Sequence, residues 1–133
     1  MKLITYSDGG SRGNPGPACG GAVVKSADGV VLETHARFLG RATNNVAEYT
    51  GIILAIEAAK RLGATEVEMR MDSELAVKQL NGQYRVKNPD LAKLFLKVKN
   101  LATGFKKVSF KHVRREQNTE ADAAVNACLD AHT

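Results

Sequence analysis

The segment spanning residues 2–21 constrains the fold most, because a strand-like pattern in it runs directly into a stretch crowded with glycine and proline. β-Branched and aromatic residues such as Thr5 and Tyr6 favour a pleated strand. The pattern predicts that this strand ends at Asp8, since the glycines and prolines that follow do not sustain a ladder. Asp8 would then face a loop whose backbone can approach a ligand closely. The alternative is a turn in which the Asp8 side chain bonds its own backbone.

Later segments predict an α/β fold. The Asp28-Gly29 pair lies between two strand-like runs and indicates a hairpin, which gives three antiparallel strands early in the chain. Helical and strand-like patterns alternate after residue 43, adding two more strands joined by helices. This order predicts one five-stranded mixed sheet with helices packed on it.

Length and composition favour a single domain over residues 1–133. Cys19 and Cys128 lie outside any C-x-x-C spacing, and we interpret both as small buried apolar residues in a reducing compartment. No apolar run is long enough for a membrane span and the first residues lack a signal-peptide pattern, so we expect a cytoplasmic protein. The net charge is +5, with basic clusters that suit either a solvated face or a polyanion. With no apolar surface stripe, a monomer is the default expectation.

Four acidic residues fall where predicted strands end or predicted helices begin. Asp8 and Asp72 follow strands, whereas Glu48 and Asp122 are placed in the first turn of helices. Strand ends and helix starts gather at one rim of such sheets, where ligands bind. Carboxylates held close together raise each other's pKa unless a cation neutralises them. Oxygen ligands without nearby His or Cys indicate Mg²⁺ or Mn²⁺ rather than zinc.

Acids near helix starts also have a capping interpretation. Capping spacings occur at residues 45–48, 72–73 and 119–122. Capping explains why an acid lies near each helix start, but it does not explain why Asp8 precedes a run of glycines.

Four ordered segments resemble the motifs of type I ribonuclease H. They read SDGGSRGNPGP at 7–17, TNNVAEY at 43–49, MDSEL at 71–75 and REQNTEAD at 115–122. The chain is similar more closely to the short members that lack the basic protrusion. The resemblance covers residues 3–126 and implies the ribonuclease H-like fold, with helices on both faces of the sheet.

The resemblance also implies an activity, hydrolysis of the RNA strand of RNA–DNA hybrids to give 5′-phosphate and 3′-hydroxyl ends. It implies that Asp8 bridges two Mg²⁺ ions and that Asp122 helps to hold the ion that activates water. Glu48 and Asp72 would hold the ion next to the leaving 3′-oxygen. This agrees with a two-metal clamp on an in-line displacement, in which Mn²⁺ could replace Mg²⁺.

Substrate contacts would come from polar groups that reach 2′-hydroxyls in a wide minor groove. The candidate residues are Gly9, Gly10, Ser11, Gly13, Asn14, Asn44 and Asn45, together with Thr43, which resembles the family's phosphate-pocket threonine. Such contacts recognise backbone and shape, so sequence specificity should be low.

The chain departs from the family pattern in three places. The family often has a histidine in the loop before the last acid, and residues 114–118 contain none. Arg115 or Glu116 is our hypothesis for product release instead. The basic handle is missing between residues 82 and 100, which predicts weaker, salt-sensitive binding. Glu74 replaces a glutamine that contacts a base, and its charge would repel phosphate.

Two other classes of function compete with hybrid hydrolysis. One is a catalytically idle module that binds hybrids or duplex RNA, although such a module gains nothing from clustered negative charge beside phosphates. The other is a related enzyme of the same fold, such as a transposase or junction resolvase. Residues placed to contact 2′-hydroxyls, such as Asn44 and Asn45, favour ribonuclease H over such related enzymes.

Overall fold

The computed structural model describes all residues from Met1 to Thr133. Its elements are β1 (Lys2–Ser11), β2 (Gly16–Ser26), β3 (Val31–Ala42), α1 (Asn44–Arg61), β4 (Glu66–Met71), α2 (Glu74–Leu80), α3 (Pro89–Ala102), β5 (Lys107–His112) and α4 (Thr119–His132), with a 3₁₀ turn at Arg115–Gln117 before α4. The five strands form one sheet in the order β3-β2-β1-β4-β5. The pairs β1–β2 and β2–β3 are antiparallel, whereas β4 is parallel to both β1 and β5. The predicted mixed sheet is confirmed.

Helices cover both faces of the sheet. Successive strand residues point to opposite faces, and a methyl group added at Gly20 would meet Gly51 of α1, whereas one added at Gly21 would meet Val125 of α4. Thus α1 lies on one face and α4 on the other, and α3 packs against α1. None of the four α-helices combines the length and apolar character that a membrane-crossing segment needs.

The main core fills the space between the sheet and α1. Ile52 and Ile56 of α1 are buried against inward residues of β4 such as Val67 and Met69. The phenol of Tyr49 is also buried, and it donates a hydrogen bond of 2.7 Å to Oε1 of Gln79 in α2. This core packs β1 and β4 against α1.

The prediction that the first strand ends at Asp8 is wrong. β1 continues to Ser11, and Gly9 and Gly10 pair with Gly20 and Cys19 of β2. The reason is close packing rather than turn formation: a Cβ at Gly9 would overlap the backbone of α1, and one at Gly20 would lie 2.7 Å from the Gly51 amide nitrogen. The glycines therefore let α1 lie directly on the strands.

The predicted position of Glu48 also needs correction. α1 begins at Asn44 after the N-cap Thr43, so Glu48 is in the second turn and not in the first. Thr43 Oγ1 accepts the hydrogen bond from the Val46 amide, so the capping interpretation of residues 45–48 is wrong as well. The Glu48 carboxylate is thereby left free for another role.

Candidate active site

One cavity of about 390 Å³ collects the four predicted acids from four separate elements. The parallel register pairs Ser7 of β1 with Met71 of β4, so Asp8 and Asp72 follow side by side at the same end of the sheet. Glu48 is brought in by α1 and Asp122 by the first turn of α4. Close packing makes this possible, because Gly9 gives room for the backbone at Glu48.

None of the four acids is used to cap a helix. The N-cap of α2 is Ser73, whose Oγ accepts from the Ala76 amide at 3.2 Å. Asn118 precedes α4 and makes no side-chain capping bond. The capping interpretations of Asp72 and Asp122 are therefore wrong, and all four carboxylates face the cavity instead.

Asp8 has the most perturbed carboxyl group of the cavity. Burial, the charges of Asp72 and Asp122 and a hydrogen bond with Asp122 together raise its pKa to about 7, although the Gly9 amide opposes them. Asp8 therefore carries a proton in a large fraction of molecules at neutral pH.

The raised pKa of Glu48 is partly offset by Ser73, a residue that the sequence patterns did not assign to the site. Burial raises the pKa of Glu48, and a side-chain hydrogen bond from Ser73 lowers it, while the charge of Asp72 raises it. Ser73 thus bonds Glu48 of α1 and also caps α2. Its place directly after Asp72 was visible in the sequence, but the sequence indicated only a cap.

At the rim of the cavity beside α1, hydrogen bonds fix the orientation of the Asn44 side-chain amide. Oδ1 of Asn44 accepts from both the amide and the hydroxyl of Ser11, each at 2.9 Å. Because a backbone amide can only donate, the acceptor must be Oδ1, which leaves Nδ2 of Asn44 as a donor at the cavity wall. The Asn44 amide in turn donates to Oδ1 of Asn14 at 3.1 Å. The turn between β1 and β2 is thereby tied to the start of α1.

The other predicted substrate residues divide into two groups. Gly9, Gly10 and Ser11 line the cavity with Asn44. The remaining four lie outside its lining, namely Gly13, Asn14, Thr43 and Asn45. Gly13 has a positive φ of 96° in the turn, so its role there is conformational.

Two arginines bring positive charge to the acidic cavity. Arg115 lines it, whereas Glu116 does not. Arg12 also lines it, and its guanidinium donates to Asp130 and to Oγ1 of Thr133 at the end of α4. Arg12 was missed because its role depends on where α4 ends in space.

Asn118 and Asn126 hold the α4 side of the site. The Asn118 side chain is 1% exposed, and its Nδ2 donates to the Ser7 carbonyl at 2.9 Å, directly beside Asp8. Asn126 donates to Oδ2 of Asp122 at 3.2 Å. The Asn118 bond anchors the start of α4 to β1, whereas the Asn126 bond orients the Asp122 carboxylate within α4.

The donor set suits hard divalent cations. No three of the carboxylates form a closed set of metal ligands in the structure, and Asp8 and Asp122 share a hydrogen bond that requires a proton. A cation held between them would replace that proton, because clustered carboxylates with raised pKa values are stabilised by positive charge. We conclude that the residues fit Mg²⁺ or Mn²⁺, whose preferred ligands are oxygens.

The same chain matches the family model described as reverse transcriptase-like over residues 6–128. A crystal structure of ribonuclease H1 from Halobacterium salinarum is 44% identical, with a TM-score of 0.95 over 98% of this chain and 99% of that one. The chain belongs to the type I ribonuclease H family. The sequence resemblance is thereby confirmed.

Two further similarities extend this placement within the ribonuclease H family. A protein of Mycobacterium tuberculosis described as bifunctional is 49% identical over 98% of this chain. A ribonuclease H1 solved in complex with an RNA/DNA hybrid is 41% identical, with a TM-score of 0.93 and 98% of each chain covered. The chain spans only 36% of the length of the mycobacterial relative.

Proposed function

We propose that this chain is an endoribonuclease that hydrolyses the RNA strand of RNA–DNA hybrids, leaving 5′-phosphate and 3′-hydroxyl ends. The observation that carries the proposal is the gathering of Asp8, Glu48, Asp72 and Asp122 around one cavity, with the pKa of Asp8 raised to about 7. A cluster of this kind is costly for a folded protein unless a bound cation offsets it. Its presence favours catalysis over passive binding.

The carboxylates would hold two divalent cations, with Mg²⁺ the first candidate and Mn²⁺ a second. Bound in this way, the ions would supply a water of lowered pKa and would stabilise charge at both ends of an in-line displacement. Asp8 would contact both ions, Asp122 the one beside the attacking water, and Glu48 and Asp72 the one beside the leaving oxygen. The chain's own part is to keep these oxygens oriented, through Ser73 at Glu48 and Asn126 at Asp122.

Substrate choice is proposed to depend on the rim beside α1. Nδ2 of Asn44 is held as a donor by the two bonds that Oδ1 accepts from Ser11, and a 2′-hydroxyl can accept from it. Gly9 and Gly10 let the backbone approach at the cavity wall. On the exposed start of α1, Thr43 is proposed to contact the DNA strand, and Asn45 is proposed to reach a 2′-hydroxyl as Asn44 does. The relative solved with an RNA/DNA hybrid supports this substrate class.

Arg115 is proposed to assist product release. Its position at the cavity allows the guanidinium to attract the new phosphate before that phosphate leaves. Glu116 lies outside the lining, so the structure favours Arg115 of the two residues predicted for this role.

The protein is also proposed to be a cytoplasmic monomer. Gel filtration tests the oligomeric state.

The deciding experiment is a cleavage assay on labelled RNA–DNA hybrid, duplex RNA and duplex DNA of one sequence, with and without Mg²⁺. We expect hybrid cleavage only with the cation, no cleavage of duplex DNA, and product ends that a 5′-phosphate-dependent exonuclease degrades. Binding of the hybrid without cleavage at any Mg²⁺ or Mn²⁺ concentration would instead support an idle binding module. Cleavage of duplex DNA would indicate a related nuclease of the same fold.

A further inference from the structure

The only two cysteines of the chain meet in space. Cys19 of β2 is fully buried in a small cluster with Val125 and Leu129 of α4, and Cys128 of α4 packs against the same cluster. The thiol of Cys128 is close enough to that of Cys19 to raise its pKa. The two residues join elements that are distant in the sequence, so their contact depends entirely on the docking of α4.

The two thiols differ in accessibility. Cys128 is partly exposed, whereas Cys19 is covered. Burial and the adjacent Cys128 thiol raise the pKa of Cys19 to about 12, although Arg12 opposes this. An oxidant in solution therefore reaches Cys128 first, and Cys19 reacts only from within the protein.

Among the contacts of α4 with the sheet, the one made by Val125 lies between Cys128 and the active site. A Cβ at Gly21 would lie 2.9 Å from Cγ2 of Val125, so this side chain already sits against the bare strand backbone. Asp122 lies three positions before Val125 and Cys128 three positions after it. Val125 is therefore placed as a pivot between the catalytic end and the thiol end of this stretch of helix.

We propose that Cys19 and Cys128 form a reversible disulfide that tilts α4 about Val125 and displaces Asp122, which makes this contact a redox-sensitive switch for the active site. This regulation rests on the proposed function, because it acts through Asp122. It adds a device that the hydrolytic mechanism does not require.

The oxidant belongs to the class of low-molecular-weight disulfides, such as oxidised glutathione. Cys128 Sγ attacks one glutathione sulfur and loses its proton, the glutathione S–S bond breaks, and one glutathione leaves as a thiol. Cys19 Sγ, deprotonated as it reacts, then attacks Cys128 Sγ and expels the second glutathione, which takes the proton. Two protein thiols become one disulfide, and one oxidised glutathione becomes two thiols. The high pKa of the Cys19 thiol predicts that this second step is slow.

The disulfide would shift α4 on the sheet, because a covalent S–S bond is shorter than the contact between two thiols. Sulfurs in a disulfide are about 2.05 Å apart, which is well inside non-bonded contact. Closing that gap draws the Cys128 end of α4 toward β2, and because Val125 has no room to sink, the Asp122 end moves away from Asp8. Misplacement of a catalytic group by about 1 Å can cost roughly 100-fold in rate.

The test uses the full chain incubated with oxidised glutathione or kept in dithiothreitol. Non-reducing peptide mapping should show the Cys19 and Cys128 peptides joined, with the mass of two hydrogens lost. The cross-linked protein should melt about 10 °C higher, because the disulfide closes a long loop. Hybrid cleavage should fall by about ten-fold or more, Mg²⁺ should bind more weakly by calorimetry, and dithiothreitol should reverse every change.

Cys128→Ser is the matched control, and it should cleave hybrids at the reduced wild-type rate under both conditions. Two results would overturn the switch: free thiols or only glutathionylated Cys128 after prolonged oxidation, or a cross-linked protein with unchanged Mg²⁺ affinity. If the reduced protein cleaves no hybrid, the proposed function fails, whereas the peptide map and the Mg²⁺ titration still decide whether the switch exists.

Discussion

The carboxyl group of Asp8 in β1 shares a hydrogen bond with that of Asp122 in the first turn of α4. Two carboxyl groups form such a bond only when one of them carries a proton. The proton therefore occupies the place between strand and helix that a cation would take in the proposed mechanism. Protonation and cation binding at this pair should oppose one another.

The first prediction concerns the pH dependence of stability and of cation binding. The folded pKa of Asp8, about 7, exceeds the ordinary value of 3.8, so its proton stabilises the fold fully below about pH 4, and this stabilisation is lost as the pH rises through 7. Without cations, the melting temperature should fall over this interval, and the increase produced by Mg²⁺ should grow. Thermal melts from pH 5 to pH 9, with and without Mg²⁺, measure both trends. A Mg²⁺ effect of equal size at all these pH values would contradict the assignment.

The second prediction concerns Asp8→Asn. Loss of this carboxylate should reduce hybrid cleavage by about a thousand-fold or more, because the proposed contact to both cations is removed. Hybrid binding should persist, and the variant should melt at a higher temperature than wild type at pH 8 without cations, since a repelling charge is gone. Filter binding, single-turnover cleavage and thermal melts test the three effects. Normal cleavage by this variant would remove Asp8 from the mechanism.

The third prediction concerns the packing of α1 on the sheet. A Cβ at Gly51 would overlap the Asp8 carbonyl and lie 2.8 Å from that of Gly21, so Gly51→Ala should destabilise the protein by about 3 kcal/mol or more. Gly104→Ala is the matched control, because its Cβ would meet only the Leu101 carbonyl at 3.4 Å. Urea denaturation of both variants measures the difference. Equal midpoints would show that α1 does not need this close approach.

The fourth prediction concerns the anchor of α4. Asn118→Ala leaves the buried Ser7 carbonyl without its donor, which should cost about 1–3 kcal/mol. Because this bond lies between Asp8 and Asp122, kcat should also fall and the Mg²⁺ concentration for half-maximal activity should rise. The exposed Asn100→Ala serves as the control for both measurements. A stability loss with unchanged Mg²⁺ dependence would make Asn118 a purely structural residue.

The fifth prediction concerns Arg115. Arg115→Ala should lower kcat by about ten-fold while changing KM less, because product release and not hybrid binding is affected. Glu116→Ala should leave turnover close to wild type, since Glu116 lies outside the cavity. Steady-state rates compared with single-turnover rates separate release from chemistry. An equal loss in both kinds of rate would place Arg115 in the chemical step instead.

The sequence was sufficient for the order and type of the strands and helices, and it singled out four acids that the structure brings to one cavity. Alternating residues predicted β4, helical spacing predicted α1 and α3, and ordered motifs carried the family resemblance. These signals are local in the chain, so they survive without knowledge of the fold. The end of β1 is predicted wrongly because Gly9 and Gly10 are taken as loop residues. The turn that holds Glu48 is predicted wrongly because α1 begins earlier, with Thr43 as its N-cap.

By itself, the amino-acid sequence determined which chemical groups the protein has. These are the oxygen ligands, a glycine-rich first strand and two thiols without a C-x-x-C spacing. Only the tertiary structure decided what these groups do. It placed Ser73 against Glu48, Asn118 beside Ser7 and Cys19 against Cys128. The physical reason is that each of these contacts depends on how closely a helix approaches the sheet. That distance is set by packing between residues far apart in the chain, which no local pattern records.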